Sequence, residues 1–78
     1  MSSEISVRFG KAIRTLRCKE GISQEELAYR CGLHRTYVSD VELGKRNVSL
    51  ENIDRISQAL NISLADLFTE VDHIGSVS

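Results

Sequence analysis

Two short helix-forming segments in this chain are separated only by Gly32 and Leu33. The first opens on a strong start signal, Ser23 with Glu26 three residues later, which makes a reciprocal capping box. Ile22 before that cap and Leu27 beyond it close as a hydrophobic staple. The second segment starts near His34 and stops before Gly44. So short a connection leaves no room for antiparallel packing, so the two helices must cross steeply. The later helix then projects one flank outward while Val38 and Val41 anchor the other in the core. At 100° per residue, Arg35, Thr36, Ser39, Asp40 and Leu43 share an arc of about 140°, with the valines on the far side. A merely solvated face is usually built from Glu, Lys and Ala, whereas Thr, Ser, Tyr and Asp are mediocre helix formers. The arc therefore reads as a surface for contact.

The remaining punctuation predicts an all-α chain. There is no proline, no period-2 alternation of strand type, and glycine stands at 21, 32 and 44. The first helix is expected over Glu4 to Glu20, with Phe9, Ile13 and Leu16 on one stripe and Gly21 supplying the left-handed stop. The serine-cap pattern returns at Val48, Ser49, Asn52 and Ile53, with Asn52 the weaker substitute at its box position. It opens a helix whose Leu50, Ile53, Ile56 and Leu60 are expected to face inward. Ile62, Ser63, Asp66 and Leu67 open the last helix, and the tail beyond Asp72, residues 73–78, is expected to fray.

With 78 residues and 41% hydrophobic content, the chain builds a small core, gains from a partner, and has little room for an elaborate cavity. On the last helix Leu64, Leu67, Phe68 and Val71 recur at i, i+3, i+4 and i+7, more than the core beneath requires. A homodimer through this helix and part of the fourth is expected. Cys18 and Cys31 have no ligand-spaced neighbours and are expected to be reduced, partly buried thiols. No metal, cofactor or small-molecule ligand is expected. No apolar run reaches membrane-spanning length and the N-terminus lacks an apolar signal region, so the expected location is cytoplasmic, with no membrane partner.

The net charge of −1 hides an asymmetry: residues 1–46 carry nine Lys or Arg against six Asp or Glu, and residues 47–78 carry one against five. A basic front and an acidic rear fit one face meeting phosphates and another meeting water or a second subunit. Catalysis is not expected. Ser39, His34 and Asp40 lie within one short exposed helix and do not converge as nucleophile, base and orienting group.

The stretch "GISQEELAYRCGLHRTYVSDVELGKRNVSLENIDRISQALNISLADLF" resembles the Cro/repressor-type, XRE-like helix-turn-helix family, over about residues 8 to 68. Within it, "HRTYVSDVELGKRNVSLENI" is most similar to the controller proteins of restriction-modification systems, small dimeric regulators. The resemblance implies a compact five-helix, lambda-repressor-like domain with the helix-turn-helix at helices 2 and 3. Residues 1–72 would form the DNA-binding and dimerisation domain, with 73–78 a flexible tail. The partner would be double-stranded DNA, with inverted half-sites about 34 Å apart read by a homodimer. RNA polymerase would be a further partner only for an activator, and sequence does not separate activation from repression. A phage or chromosomal repressor of the same fold is the nearest alternative. An antitoxin is another; such proteins usually add a partner-binding extension, whereas this chain stops soon after its fifth helix.

Carried onto this chain, the resemblance gives each polar residue a role. Arg35 is the principal base reader, since its planar fork can donate two hydrogen bonds to guanine. Thr36 offers a methyl to thymine or a hydroxyl to base or phosphate, and Ser39 and Asp40 reach bases deeper in the groove. Asp40 could accept from cytosine, repel phosphate, or only orient Arg35. Arg46 enters a groove or grips the backbone, with Lys45 and Asn47 on phosphates. Gln24 at the start of the second helix holds a phosphate at its positive end. Tyr37 either donates its hydroxyl to a phosphate or simply packs, the phosphate contact being favoured. Arg17 and Glu42 match the family's largely buried ion pair, a structural feature, and His34 is a poor cap.

Overall fold

Serine side chains start four helices of this protein, each by accepting a hydrogen bond from the backbone N–H three residues on: Ser3 from Ser6, Ser23 from Glu26, Ser49 from Asn52 and Ser63 from Asp66. The computed structural model describes residues 3–77. It contains α1 (Glu4–Glu20), α2 (Gln24–Cys31), α3 (Arg35–Glu42), α4 (Leu50–Ala59) and α5 (Leu64–Val77). The cap at Ser3 was not anticipated. At Ser23 only half of the capping box forms, because the Glu26 carboxylate turns outward to accept from Arg30 at 2.9 Å. Gly21 and Gly32 end α1 and α2 in the left-handed region, at φ 72° and 70°.

α1 packs on α3 and α5, and α2 packs on α3 and α4, so the core flank of α3 is gripped by the first two helices together. Ile13, Leu27, Val38, Val41, Ile56, Leu60, Leu67 and Val71 are fully buried at the centre. The α1–α3 approach is close. A Cβ on Gly10 would strike the carbonyl oxygen of Val41 and come within 2.8 Å of that of Glu42, so only glycine fits there.

The structure corrects several expectations. Leu50 is 78% exposed, since it stands about 120° around α4 from Ile56 and so leaves the buried face. Leu67 and Val71, expected at a dimer surface, are core residues; the central stripe of α5 is Leu67, Val71 and Ile74, with Leu64 and Phe68 displaced to one side and partly exposed. That stripe also explains the C-terminus. α5 continues through Val77 where a frayed tail from residue 73 was expected, because Ile74 extends the apolar face by another turn against the core. Ser78 lies outside the described residues. Cys31 is buried as expected, but Cys18 is exposed.

Candidate nucleic-acid interface

The inner end of α3 is fixed by a charged bolt. Glu42 accepts from Arg17 Nε at 2.6 Å and Nη2 at 3.1 Å, while Arg17 Nη1 donates to the Ile22 carbonyl at 2.9 Å. The Glu42 side chain is only 3% exposed, and its hydrogen bonds, opposed by partial burial, push the Arg17 pKa up. The expected structural pair is therefore present. Gln24 joins it, donating from Nε2 to Glu42 Oε1 at 3.0 Å. This role was not foreseen for Gln24, and it ties the first turn of α2 to the end of α3. Glu25 and Glu26 also lie in this first turn, and Gln24 keeps a second Nε2 hydrogen that Glu42 does not use.

From this anchor α3 projects its first turn. Arg35 and Thr36 are exposed, Ser39 and Asp40 are half-buried behind them, and Val38 and Val41 point into the core. His34 occupies the cap position without a side-chain hydrogen bond, the poor cap expected of it.

Beyond α3 the chain reverses sharply. The Lys45 N–H donates to the Asp40 carbonyl at 2.9 Å and the Gly44 N–H to that of Val41 at 3.0 Å, with Gly44 left-handed at φ 76°. Lys45, Arg46 and Asn47 emerge directly from this turn, all exposed. Arg46 does not stand alone. Its Nη2 lies 3.4 Å from Asp40 Oδ2, and its guanidinium carbon sits 5.1 Å from the centre of the Tyr37 ring. Tyr37 packs partly on the core, and its hydroxyl accepts from Asn52 Nδ2 at 3.1 Å. Asp40 thus faces Arg46, a pairing the sequence did not suggest. Tyr37 was open between packing and phosphate contact; it packs, while its hydroxyl proton remains to be donated.

In the sequence Asn52 stands out only as a weak substitute at its helix-start position. Its backbone N–H does serve the Ser49 cap, but its amide reaches α3. Beside this cluster lies a cleft of about 160 Å³, whose walls include Ile5, Phe9, Val48, Ile53, Phe68 and Arg46. Ile5, Leu64 and Phe68 are exposed by 49%, 40% and 38%.

A helix-turn-helix family model matches residues 13–67, which include α2, α3 and the loop after it. The chain belongs to the helix-turn-helix family. It is 52% identical over 68 residues to control protein C.BamHI of Bacillus amyloliquefaciens, covering 86% of this chain and 84% of that protein. Among solved structures it is similar to the restriction-modification controller protein C.AhdI of Aeromonas hydrophila, with 51% identity and a TM-score of 0.79 over 81% of this chain and 96% of that one. It is also similar to the controller protein C.Esp1396I, solved as a tetramer in complex with its natural 35-base-pair operator, with 29% identity and a TM-score of 0.87 over 92% and 95% of the two chains. In this helix-turn-helix protein α2 and α3 are the paired helices, and α3 is the one whose polar start is presented. Among the described residues no helix is long and apolar enough to cross a membrane.

Proposed function

We propose that this protein is a sequence-specific double-stranded DNA-binding transcriptional regulator, a homodimeric controller of a restriction-modification system that reads inverted repeats. The observation that carries this reading is the contrast within α3. Its inner end is immobilised by Arg17, Glu42 and Gln24, while Arg35 and Thr36 stand exposed at the outer end. A rigidly held helix with a donor-rich start fits the major groove. The similarity to a controller protein crystallised on its operator points the same way.

In this reading Arg35 and Thr36 meet base edges first, Ser39 lies deeper, and Arg46 enters from the loop. Asp40 faces the bases beside Arg46, with which it pairs. Lys45, Asn47, Tyr37 and the remaining N–H of Gln24 meet phosphates. Leu64 and Phe68, with Ile5 nearby, form the dimer face in place of the buried Leu67 and Val71. The protein acts by binding rather than catalysis, in the cytoplasm. A gel-shift titration tests the class: affinity for duplex DNA should fall steeply as salt rises, through release of counterions from contacted phosphates. Salt-insensitive binding, or none, would refute it.

A further inference from the structure

Arg46 is a long, exposed side chain on a loop, and ordering such a side chain is entropically costly. Two contacts hold it. The ion pair to Asp40 is partly exposed on both sides, at 48% and 28%, and pairs of that kind fix geometry weakly. The other contact is the face of Tyr37, which works as a platform only if the ring is itself held. One edge of Tyr37 is fixed by the core and its hydroxyl end by the Asn52 amide.

Resting on the DNA-binding reading, we propose that Asn52 is a positioning residue for operator recognition: through its hydrogen bond to the Tyr37 hydroxyl it sets the pose in which Arg46 meets DNA. The chemistry of the bond adds a second effect. Because Tyr37 Oη accepts from Asn52, its own proton is directed elsewhere and stays available to a phosphate oxygen. One amide therefore orients two DNA-facing groups without touching DNA. The position itself supports this. A Glu or Gln at 52 would complete the Ser49 capping box, whereas the shorter Asn leaves only the backbone half of that box and gives its side chain to α3.

The test has two arms. In the free protein, the Tyr37 ring current should displace the Arg46 side-chain NMR resonances upfield, and Asn52→Ala should return them toward unstructured values. Unchanged Arg46 resonances in that variant would overturn the proposal. In the second arm, the wild-type protein selects its best duplex from a random pool, and affinities for that duplex are measured by fluorescence anisotropy. Asn52→Ala should weaken binding about tenfold and lower the salt dependence, with thermal stability nearly kept because the Ser49 cap uses the backbone N–H. In an Arg46→Ala background the same change should cost about threefold or less, the remainder of the Tyr37 phosphate contact. A full tenfold loss in that background would show that Asn52 does not act through Arg46. Failure of the wild-type protein to select any duplex would remove the DNA-binding reading itself, whatever the resonances show.

Discussion

Arg17→Met, which leaves Glu42 without its charged partner, is the most informative stability experiment. Glu42 is more deeply buried than Arg17, with side-chain exposures of 3% and 13%, so the stranded group is the one less able to reach water. Gln24 would remain as a single donor on Oε1, and the Oε2 oxygen, held at 2.6 Å in the native protein, would lose its partner. Breaking a buried pair in this way costs about 3–5 kcal/mol. That is a large share of the roughly 5–15 kcal/mol available to a domain, and it should lower the melting midpoint by on the order of 20 °C. Glu42→Gln should be milder, because Arg17 is less deeply buried and keeps its bond to the Ile22 carbonyl. The double variant Arg17→Met, Glu42→Leu should recover much of the loss, since no uncompensated charge stays buried. Urea and thermal unfolding read all three. A loss below about 1 kcal/mol for Arg17→Met, or a double variant less stable than Arg17→Met alone, would refute the reasoning.

Other consequences are as specific. Gly10→Ala should destabilise by about 2 kcal/mol or more, because the added methyl meets the α3 backbone rather than a movable side chain; unfolding of that variant checks it. Leu64→Asp with Phe68→Asp should shift the protein toward monomer in sedimentation while helical circular dichroism is retained, and an unchanged oligomer would remove the dimer face proposed for α5. Burial pushes the Cys31 thiol pKa up, the nearby Arg55 charge opposing only in part. A thiol reagent at neutral pH should therefore modify exposed Cys18 and spare Cys31. Because the folded-state value lies above the unfolded one, the contribution of Cys31 to stability is complete below the unfolded pKa. It is lost as pH rises through the folded pKa, so Cys31→Ala should flatten the alkaline limb of the stability profile.

The helices were legible because their ends are written locally. Ser23, Ser49 and Ser63 start helices and Gly21 and Gly32 stop them within a few residues, and neither signal needs tertiary information. The gap of Gly32 and Leu33 then constrained the crossing of α2 and α3, and with it the outward turn of Arg35 and Thr36. What failed depended on packing against partners distant in sequence. Period alone made Leu67, Val71, Leu64 and Phe68 one stripe; only the position of α1 against α5 shows that two of them are core. The same limit applies to Gly10, whose reason is the α3 backbone, and to Ile74, whose contact with the core carries α5 beyond the expected end. The interface divides likewise. Residue types marked Arg35, Arg46 and Tyr37, but the links from Asn52 to Tyr37 and Gln24 to Glu42 join segments that the sequence keeps apart, and the pair of Asp40 with Arg46 depends on the reversal of the chain at Gly44.

What Arg35 reads decides whether α3 enters the groove. Selection of duplexes from a random pool by the wild-type protein should enrich an inverted repeat with half-site centres about 34 Å apart, one helical turn. Repeated with Arg35→Ala, the selection should lose its preference at one base pair in each half-site while the repeat spacing survives, at a penalty of roughly 1–3 kcal/mol per half-site. Recovery of the full wild-type preference by the variant would contradict the insertion of α3, Arg35 first, into the groove.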